Sequence, residues 1–160
     1  MQKFHSITAE ICKVLSIRIV IGFIFYLIFT YCKKESVNNS LLYMDRTEKF
    51  MLAVIAGPLI ETTIFQFAII EALLSVKSLP IKKTLSVIAS TLAFALTHFQ
   101  STWFFLSALS SGALYAIFYI RLKIKYKSPT PFLIICVSHS LYNLFVFMQD
   151  YFKWFEWALL

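Results

Sequence analysis

Four polar residues lie deep within apolar stretches of the chain: Glu61, His98, His139 and Asn143. The chain has three histidines, and two of them belong to this group. A carboxylate or an imidazole can take a proton from water, and hydrogen-bond donors can stabilise the negative charge that develops on a carbonyl oxygen. We therefore interpret Glu61 and His98 as the pair that activates water. His139 and Asn143 are the predicted donors to the oxyanion, so together the four residues predict a hydrolytic centre.

The spacing of these residues is typical of helices. His139 and Asn143 are four residues apart, so both side chains project from one face of a helix. Phe94 precedes His98 by one helical turn and is expected to pack beneath it. A charged side chain at the centre of a bilayer costs roughly 2.5–3.5 kcal/mol on insertion scales, so ionisable groups placed there indicate function.

The composition indicates that these helices cross a membrane. Hydrophobic residues make up 59% of the chain and charged residues 14%, whereas soluble domains contain about 25% charged residues. We predict an all-α membrane helix bundle with about five transmembrane helices. Residues 1–160 form a single integral membrane domain in this interpretation, with a catalytic core at about 50–150. The predicted spans cover about 15–31, 50–76, 84–99, 102–120 and 131–148.

The second predicted span contains Gly57-Pro58, four residues before Glu61. Proline lacks a backbone donor, so we expect the helix to kink or break there.

If the N-terminus faces the cytoplasm, about ten lysine and arginine residues lie on the cytoplasmic side of the membrane and about five on the opposite side. Positive residues are enriched on the cytoplasmic side of membrane proteins, so this distribution predicts a cytoplasmic N-terminus. The predicted cytoplasmic residues are Lys3, Lys13, Arg18, Lys77, Lys82, Lys83, Arg121, Lys123, Lys125 and Lys127. The net charge of +7 then reflects membrane topology. No pattern typical of nucleic-acid binding accompanies it. We expect an integral protein of a bacterial plasma membrane.

A zinc site is the alternative to a metal-free mechanism. Glu61, His98 and His139 could supply the three ligands of an open zinc site. The site would then lack a separate general base, because Glu71 lies ten residues after Glu61, about 15 Å along a helix. We expect Glu71 to lie at the membrane interface, offset by Lys77 or Lys82. The residues favour the metal-free mechanism with no cofactor.

Three segments of the chain contain the four candidate residues: GPLIETTIFQ at 57–66, FALTH at 94–98 and HSLYN at 139–143. They resemble the motifs of the CAAX-protease and bacteriocin-processing (CPBP, or Abi) family of intramembrane proteases. That family carries a paired-glutamate motif that ends in arginine, then Phe-x-x-x-His, then His-x-x-x-Asn. The resemblance covers about residues 50–150. It implies a glutamic intramembrane endopeptidase in which the residues at Glu61 and His98 act on water, and those at His139 and Asn143 stabilise the intermediate.

Two positions depart from the family pattern. Thr62 stands where the family has its second glutamate, and Gln66 stands where it has arginine. Replacing both charges together avoids leaving one buried charge without a partner. The two neutral side chains, four residues apart, are expected to hydrogen-bond each other.

Three functions are compatible with these residues. The preferred one is an endopeptidase that cuts a membrane protein or peptide, such as a prenylated tail, a leader peptide or a C-terminal sorting segment. The second is a non-catalytic membrane scaffold or bacteriocin-immunity protein of the same fold, which Thr62 and Gln66 favour. The third is a carrier, with His98 and His139 as axial haem ligands or Glu61 as a proton-relay group. The expected partners of the protease are its substrate and the lipid bilayer, without nucleic acid.

Overall fold

The computed structural model describes residues 2–32, 44–76 and 81–152, and these ranges contain helices and no strand. Five helices follow one another along the chain. They are α1 (Gln2–Cys32), α2 (Arg46–Ser75), α3 (Lys82–Leu96), α4 (Thr102–Lys125) and α5 (Thr130–Phe152). This arrangement confirms the predicted all-α membrane bundle.

Four segments are long and apolar enough to cross a membrane: Ser6–Phe29, Arg46–Ser75, Thr102–Lys125 and Thr130–Gln149. The third predicted span corresponds to α3, which has 15 residues. A helix of that length measures about 22 Å, less than the thickness of about 30 Å of the hydrocarbon core. Helix α3 is therefore a short helix packed among longer ones.

Helix α2 continues through Gly57-Pro58, where a kink or break is expected. The helix widens instead into turns closed by i→i+5 hydrogen bonds at Met51–Ala56 and at Thr62–Ile69. The amide of Gly57 donates to the carbonyl of Leu52. A Cβ atom at Gly57 would lie 2.9 Å from that carbonyl oxygen, so this wide turn requires glycine. The helix therefore does not break at the proline, because the wide turn satisfies the backbone before it; whether the helix is kinked there stays a prediction.

Helices α3 and α4 form a closely packed hairpin. The side chain of Ser101 accepts a hydrogen bond from the amide of Phe104 and thereby caps the start of α4. Further along α4, a Cβ atom at Gly112 would lie 3.2 Å from the Cα atom of Thr91 and 3.2 Å from the ring of Phe94. The small residue at this position allows the two helices to approach, which fixes the end of α3 that carries the Phe94–His98 segment.

Two hydrophobic clusters hold the bundle together. The larger one joins α1, α2, α4 and α5 and contains Val14, Ile70, Tyr115, Ala116, Phe118, Tyr119, Leu122, Ile134 and Ile135. The smaller one joins α2, α3 and α4 and contains Phe65, Phe94, Ala95 and Ala108.

Charged residues gather at one end of the bundle. Glu10 of α1 forms an ion pair of 2.7 Å with Lys125 at the end of α4. Near the end of α2, Glu71 accepts hydrogen bonds from the hydroxyl of Tyr119, at 2.6 Å, and from Lys123. The first part of α1 and the last parts of α2 and α4 thus lie on one side, as the predicted topology requires. Which side faces the cytoplasm stays a prediction.

The partner of Glu71 differs from the predicted one. Lys123 of α4 pairs with Glu71, whereas the sequence favoured Lys77 or Lys82, which are nearer along the chain. Lys77 lies outside the described residues. The prediction relied on proximity in sequence, but packing of α2 against α4 determines the neighbour.

Arg18 is the second difference, because it lies inside the first span and not at its cytoplasmic end. The apolar segment extends over Ser6–Phe29, so Arg18 is near its middle. The residue is only 7% exposed. Counting Arg18 among the cytoplasmic cations is therefore wrong: a charge within an apolar stretch need not mark its boundary when neighbouring helices bury it.

Candidate active site

Glu61 lies between two imidazoles that come from different helices. Its Oε1 atom is 3.7 Å from Nε2 of His98, and its Oε2 atom is 3.6 Å from Nε2 of His139. Glu61 is in α2, His98 lies two residues beyond the end of α3, and His139 is in α5. The structure therefore brings together three of the four predicted site residues. The Nε2 atoms of the two imidazoles both face the carboxylate of Glu61.

His98 is oriented by the carbonyl that ends α3. Its Nδ1 atom lies 2.8 Å from the carbonyl oxygen of Phe94 and 3.0 Å from the hydroxyl of Thr97. The Thr97 hydroxyl itself donates to the same carbonyl, at 2.7 Å. A carbonyl oxygen only accepts hydrogen bonds, so Nδ1 carries the proton and Nε2 presents its lone pair to Glu61. This tautomer makes His98 a proton acceptor on the side of the site.

His139 is packed between two aromatic rings. Its ring centroid lies 4.9 Å from that of Tyr115 and 5.9 Å from that of Phe94. The ring of Phe94 also lies 4.5 Å from that of His98, so Phe94 supports both imidazoles. The Nδ1 atom of His139 is buried without a hydrogen-bond partner. Packing, and not hydrogen bonding, holds this histidine beside Glu61.

Asn143 lies one helical turn beyond His139 and is tied to α2. Its Nδ2 atom donates to the backbone carbonyl of Ala53, at 2.8 Å. A carboxamide has two N–H donors, so one N–H remains for the predicted role in binding an oxyanion. This hydrogen bond joins α5 to the first wide turn of α2 and thereby helps to place His139 opposite Glu61.

Thr62 and Gln66 are fully buried, but they do not form the expected hydrogen bond with each other. The hydroxyl of Thr62 and both polar atoms of the Gln66 amide have no partner within the described parts of the chain. This segment of α2 is the second wide turn, where residues four apart no longer lie one above the other as they do in an α-helix. The two substitutions therefore leave neutral polar groups whose hydrogen bonds are not satisfied by one another.

Sequence reasoning missed a group of buried polar side chains near the predicted site. The guanidinium of Arg18 lies 3.8 Å above the ring of Tyr142, which is the residue before Asn143. No hydrogen bond of normal geometry reaches Nε or one terminal nitrogen of Arg18, or the buried hydroxyl of Tyr115, although the guanidinium and this hydroxyl lie close together. An arginine inside a 24-residue apolar segment is the signal that could have identified this group of side chains.

The zinc alternative requires a set of ligands around one point. Within residues 2–32, 44–76 and 81–152, no group of three or more histidine, cysteine, aspartate or glutamate side chains is arranged as a metal-binding set. The two imidazoles face different oxygens of Glu61. The arrangement resembles an acid–base cluster more closely than a set of metal ligands.

A comparison with known protein families identifies the family of this chain. The family described as "Rce1-like: Type II CAAX prenyl endopeptidase Rce1-like" matches residues 47–145, which is more than half of the chain. The chain belongs to this Rce1-like family. Searches among curated proteins and among solved structures gave no match.

Membership in the Rce1-like family confirms the resemblance that the motifs indicated. The protein is an integral membrane protein of a CAAX protease family. The matched residues include all four predicted site residues together with Thr62 and Gln66, whereas α1 and its Arg18 lie before the matched region. The Rce1-like part of the chain therefore contributes the Glu61 cluster, and a helix outside it contributes the neighbouring cation.

Proposed function

We propose that this protein is an intramembrane endopeptidase that hydrolyses a peptide bond of a membrane-associated protein or peptide. The observation that supports the proposal most strongly is the position of Glu61 between the Nε2 atoms of His98 and His139, at 3.7 and 3.6 Å. A carboxylate without a hydrogen-bonded partner, next to two imidazoles, is equipped to exchange protons with a water molecule. A purely structural glutamate would be expected to have its oxygens satisfied.

Glu61 and His98 activate the water in this mechanism. The water gives a proton to Glu61 as its oxygen bonds to the carbonyl carbon of the substrate, and a negative charge forms on the carbonyl oxygen. His98 accepts a hydrogen bond from the water through Nε2, because its Nδ1 proton is held by the carbonyl of Phe94. When the intermediate collapses, the carbon–nitrogen bond breaks and the proton on Glu61 passes to the leaving amine. The cycle consumes one water molecule and returns Glu61 to its starting state.

His139 and Asn143 stabilise the oxyanion in this proposal. They lie on the same face of α5, and the amide of Asn143 keeps one N–H available beyond its bond to Ala53. Removing a single oxyanion donor in other hydrolases costs about 10²–10³-fold in rate, so these two residues would supply a substantial part of the catalysis.

The mechanism we propose needs no metal. Glu61 then serves as the general base, a role that it could not fill while bound to zinc as a ligand. We expect purified protein to keep its cleavage activity after dialysis against a chelator, and to gain none when zinc is added back. Loss of activity in the chelator with recovery on zinc addition would favour the alternative.

A non-catalytic scaffold is the second candidate, and the uncharged pair Thr62 and Gln66 favours it. Both side chains are buried without hydrogen-bond partners where the family motif places two charges. The carrier interpretation is less well supported, since the carboxylate of Glu61 lies between the imidazoles, where the plane of a haem would have to fit.

The decisive experiment uses the full chain, purified in detergent and reconstituted in lipid, with prenylated CAAX peptides and other membrane peptides as substrates. Products are identified by mass spectrometry for the wild-type protein, for Glu61→Gln and for the control Glu48→Gln. Glu48 is exposed and lies at the start of α2, so the control makes the same change far from the site. We expect cleavage by the wild type and the control only. A folded wild-type protein that cleaves none of these peptides, and whose cellular phenotype survives Glu61→Gln, would support the scaffold.

A further inference from the structure

Arg18 is a buried cation that the mechanism above does not use. It is 7% exposed, and it is the only lysine or arginine in the buried class among the described residues. The ion pairs found in the described ranges involve Glu10, Glu61 and Glu71, and none includes Arg18. Its Nε atom and one terminal nitrogen have no hydrogen-bond partner. A charge that is buried without an anionic partner is costly, and it is retained where a function uses it.

The depth of Arg18 in the bundle matches that of the candidate site. Arg18 follows Glu10 by eight residues, about 12 Å along α1. Glu61 precedes Glu71 by ten residues of α2, which span less than the about 15 Å of ten α-helical residues because most of them form wide turns. Both Glu10 and Glu71 pair with the last turns of α4, so both distances start from the same charged end of the bundle. Arg18 is therefore level with the catalytic cluster and well below the headgroups at that end.

Packing holds the guanidinium against α5. Tyr142 lies under it at 3.8 Å, and the ring of Tyr142 itself approaches α1 at Gly22, where a Cβ atom would be 3.2 Å from two ring carbons. The charge of Arg18 also interacts electrostatically with Tyr115, His98 and His139. The residue is therefore held in place by α5, the helix that also carries His139.

The side chains around Arg18 offer donors and a charge that no anion neutralises. The guanidinium supplies N–H groups, and the buried hydroxyl of Tyr115, which lies close to the guanidinium, supplies an O–H group. A guanidinium fits the two oxygens of a carboxylate in a planar, bidentate arrangement. The unsatisfied donors of Arg18 and its positive charge therefore favour a carboxylate ligand.

We propose that Arg18, together with the hydroxyl of Tyr115, binds the C-terminal carboxylate of the peptide substrate and thereby determines specificity. This inference rests on the proposed endopeptidase function. A CAAX sequence lies at the C-terminus of its protein, so such a substrate carries a free carboxylate a few residues beyond the prenylated cysteine. An anionic lipid headgroup is the competing ligand, but its phosphate lies at the membrane surface, whereas Arg18 lies about 12 Å below the charged end.

The test compares two prenylated peptides that differ only at the C-terminus, one with a free carboxylate and one with a carboxamide. The full-length protein is reconstituted in lipid, and kcat/KM is measured for both peptides. We expect the wild type to prefer the acid by about 10-fold to 100-fold, the range of a charge-assisted hydrogen bond. In Arg18→Gln, kcat/KM for the acid peptide falls to the level of the amide peptide. The kcat/KM for the amide peptide itself changes little. Tyr115→Phe reduces the preference in the same direction.

Arg46→Gln is the matched control. Arg46 also lies over a tyrosine ring, 4.8 Å from that of Tyr151, but it is exposed at the start of α2. The control therefore removes the same kind of contact between an arginine and a tyrosine without touching Arg18, and it should keep the preference for the acid. If the wild type cleaves both peptides equally, the inference is wrong, whether or not Arg18→Gln folds. Equal losses for both peptides in Arg18→Gln would also overturn it, since Arg18 would then act on the reacting carbonyl or on folding.

A binding measurement separates this inference from the proposed function. In the Glu61→Gln background, a fluorescent acid peptide should bind about 10-fold or more tightly than its amide, and the additional change Arg18→Gln should remove the difference. If Glu61→Gln still cleaves, the proposed mechanism fails while the binding comparison remains valid. Binding of the acid peptide that is lost in vesicles of phosphatidylglycerol, but retained in neutral vesicles, would indicate lipid phosphate bound to Arg18 and contradict the assignment to a peptide.

Discussion

Two glutamates on α2 have opposite surroundings. Glu71 accepts hydrogen bonds from Tyr119 and Lys123, and its side chain is 35% exposed at the charged end of the bundle. Glu61 is 26% exposed and has two imidazoles near it at distances longer than a hydrogen bond. Ten residues of one helix thus separate a carboxylate that joins helices by hydrogen bonds from one that has only imidazoles at longer distances. Residue type alone does not distinguish them; the partners supplied by other helices do.

The surroundings of the two glutamates differ because the neighbouring helices contribute different kinds of side chain. Lys123 reaches Glu71 with a long flexible stem, so the ion pair tolerates small movements of α4. His98 and His139 are rigid rings fixed by Phe94, so their separation from Glu61 follows the backbone closely. The Glu61 region should therefore be more sensitive to repacking than the Glu71 region.

The strongest contrast is expected from removing each charge in turn. Glu61→Gln should lower kcat by about 10²–10⁴-fold, the usual contribution of a general base. Glu71→Gln should leave kcat within about threefold, because that carboxylate does not contact the site. Initial rates with a fluorogenic prenylated peptide measure both. Equal losses in the two variants would mean that the comparison between the glutamates is wrong.

A second large effect is expected from His98. Replacing it with Gln removes the lone pair that faces Glu61, and we expect kcat to fall by about 10²-fold with little change in KM. Thr97→Val removes only the hydroxyl that contacts Nδ1 and should have a smaller effect of the same kind. Steady-state kinetics give the split between kcat and KM. A rise in KM alone would indicate that His98 binds substrate and does not act on water.

Overpacking at Gly112 tests whether the Glu61 region depends on the backbone of α3. Gly112→Val forces Thr91 and Phe94 away, and we expect a loss of about 1–3 kcal/mol in unfolding free energy together with reduced cleavage. Thermal unfolding in detergent and initial rates give the two quantities. Ala113→Val, at the neighbouring half-buried position, is the control and should change both less. Unchanged activity in Gly112→Val would show that His98 is placed independently of this contact.

The hydrogen bond from Asn143 to Ala53 is expected to contribute a smaller amount of stability. Asn143→Ala should lower the unfolding free energy by about 0.6–1.7 kcal/mol, the range measured for such bonds between membrane helices. If Asn143 also binds the oxyanion, kcat should fall by more than this loss of stability explains, about 10²-fold. Activity measured well below the unfolding temperature separates the two effects. A loss of stability without a loss of kcat would leave Asn143 a structural residue.

The smallest effect is expected at the other glutamate. Lys123→Met removes the ion pair with Glu71, which is partly exposed, so we expect a change of about 0–1 kcal/mol in unfolding free energy and unchanged cleavage. Thermal unfolding at low and high salt measures this change. Salt screens the ion pair, so the difference between the wild type and Lys123→Met should be smallest at high salt. A large loss of cleavage in Lys123→Met would show that the two regions of α2 are coupled.

Much of the candidate site could be predicted because its signals are local in sequence. The spacing of His139 and Asn143 places them on one helical face, and the order of the three motifs identified the family and the residues Glu61 and His98 before any contact was known. The partner of Glu71 could not be predicted in this way. It lies 52 residues away on α4, whereas the sequence suggested nearby lysines.

The amino-acid sequence by itself determined that the chain is helical, that it belongs in a membrane and that four polar groups are candidates for hydrolysis. Hydropathy, helical period and motif order are properties of short segments, so they can be read without a fold. Only the tertiary structure decided that Glu61 lies between two imidazoles and that Arg18 is buried. Both depend on contacts between helices: Arg18 lies over Tyr142, more than 120 residues further along the chain, because Gly22 lets α5 approach α1. Burial and pairing are properties of the packed bundle, and no single segment contains them.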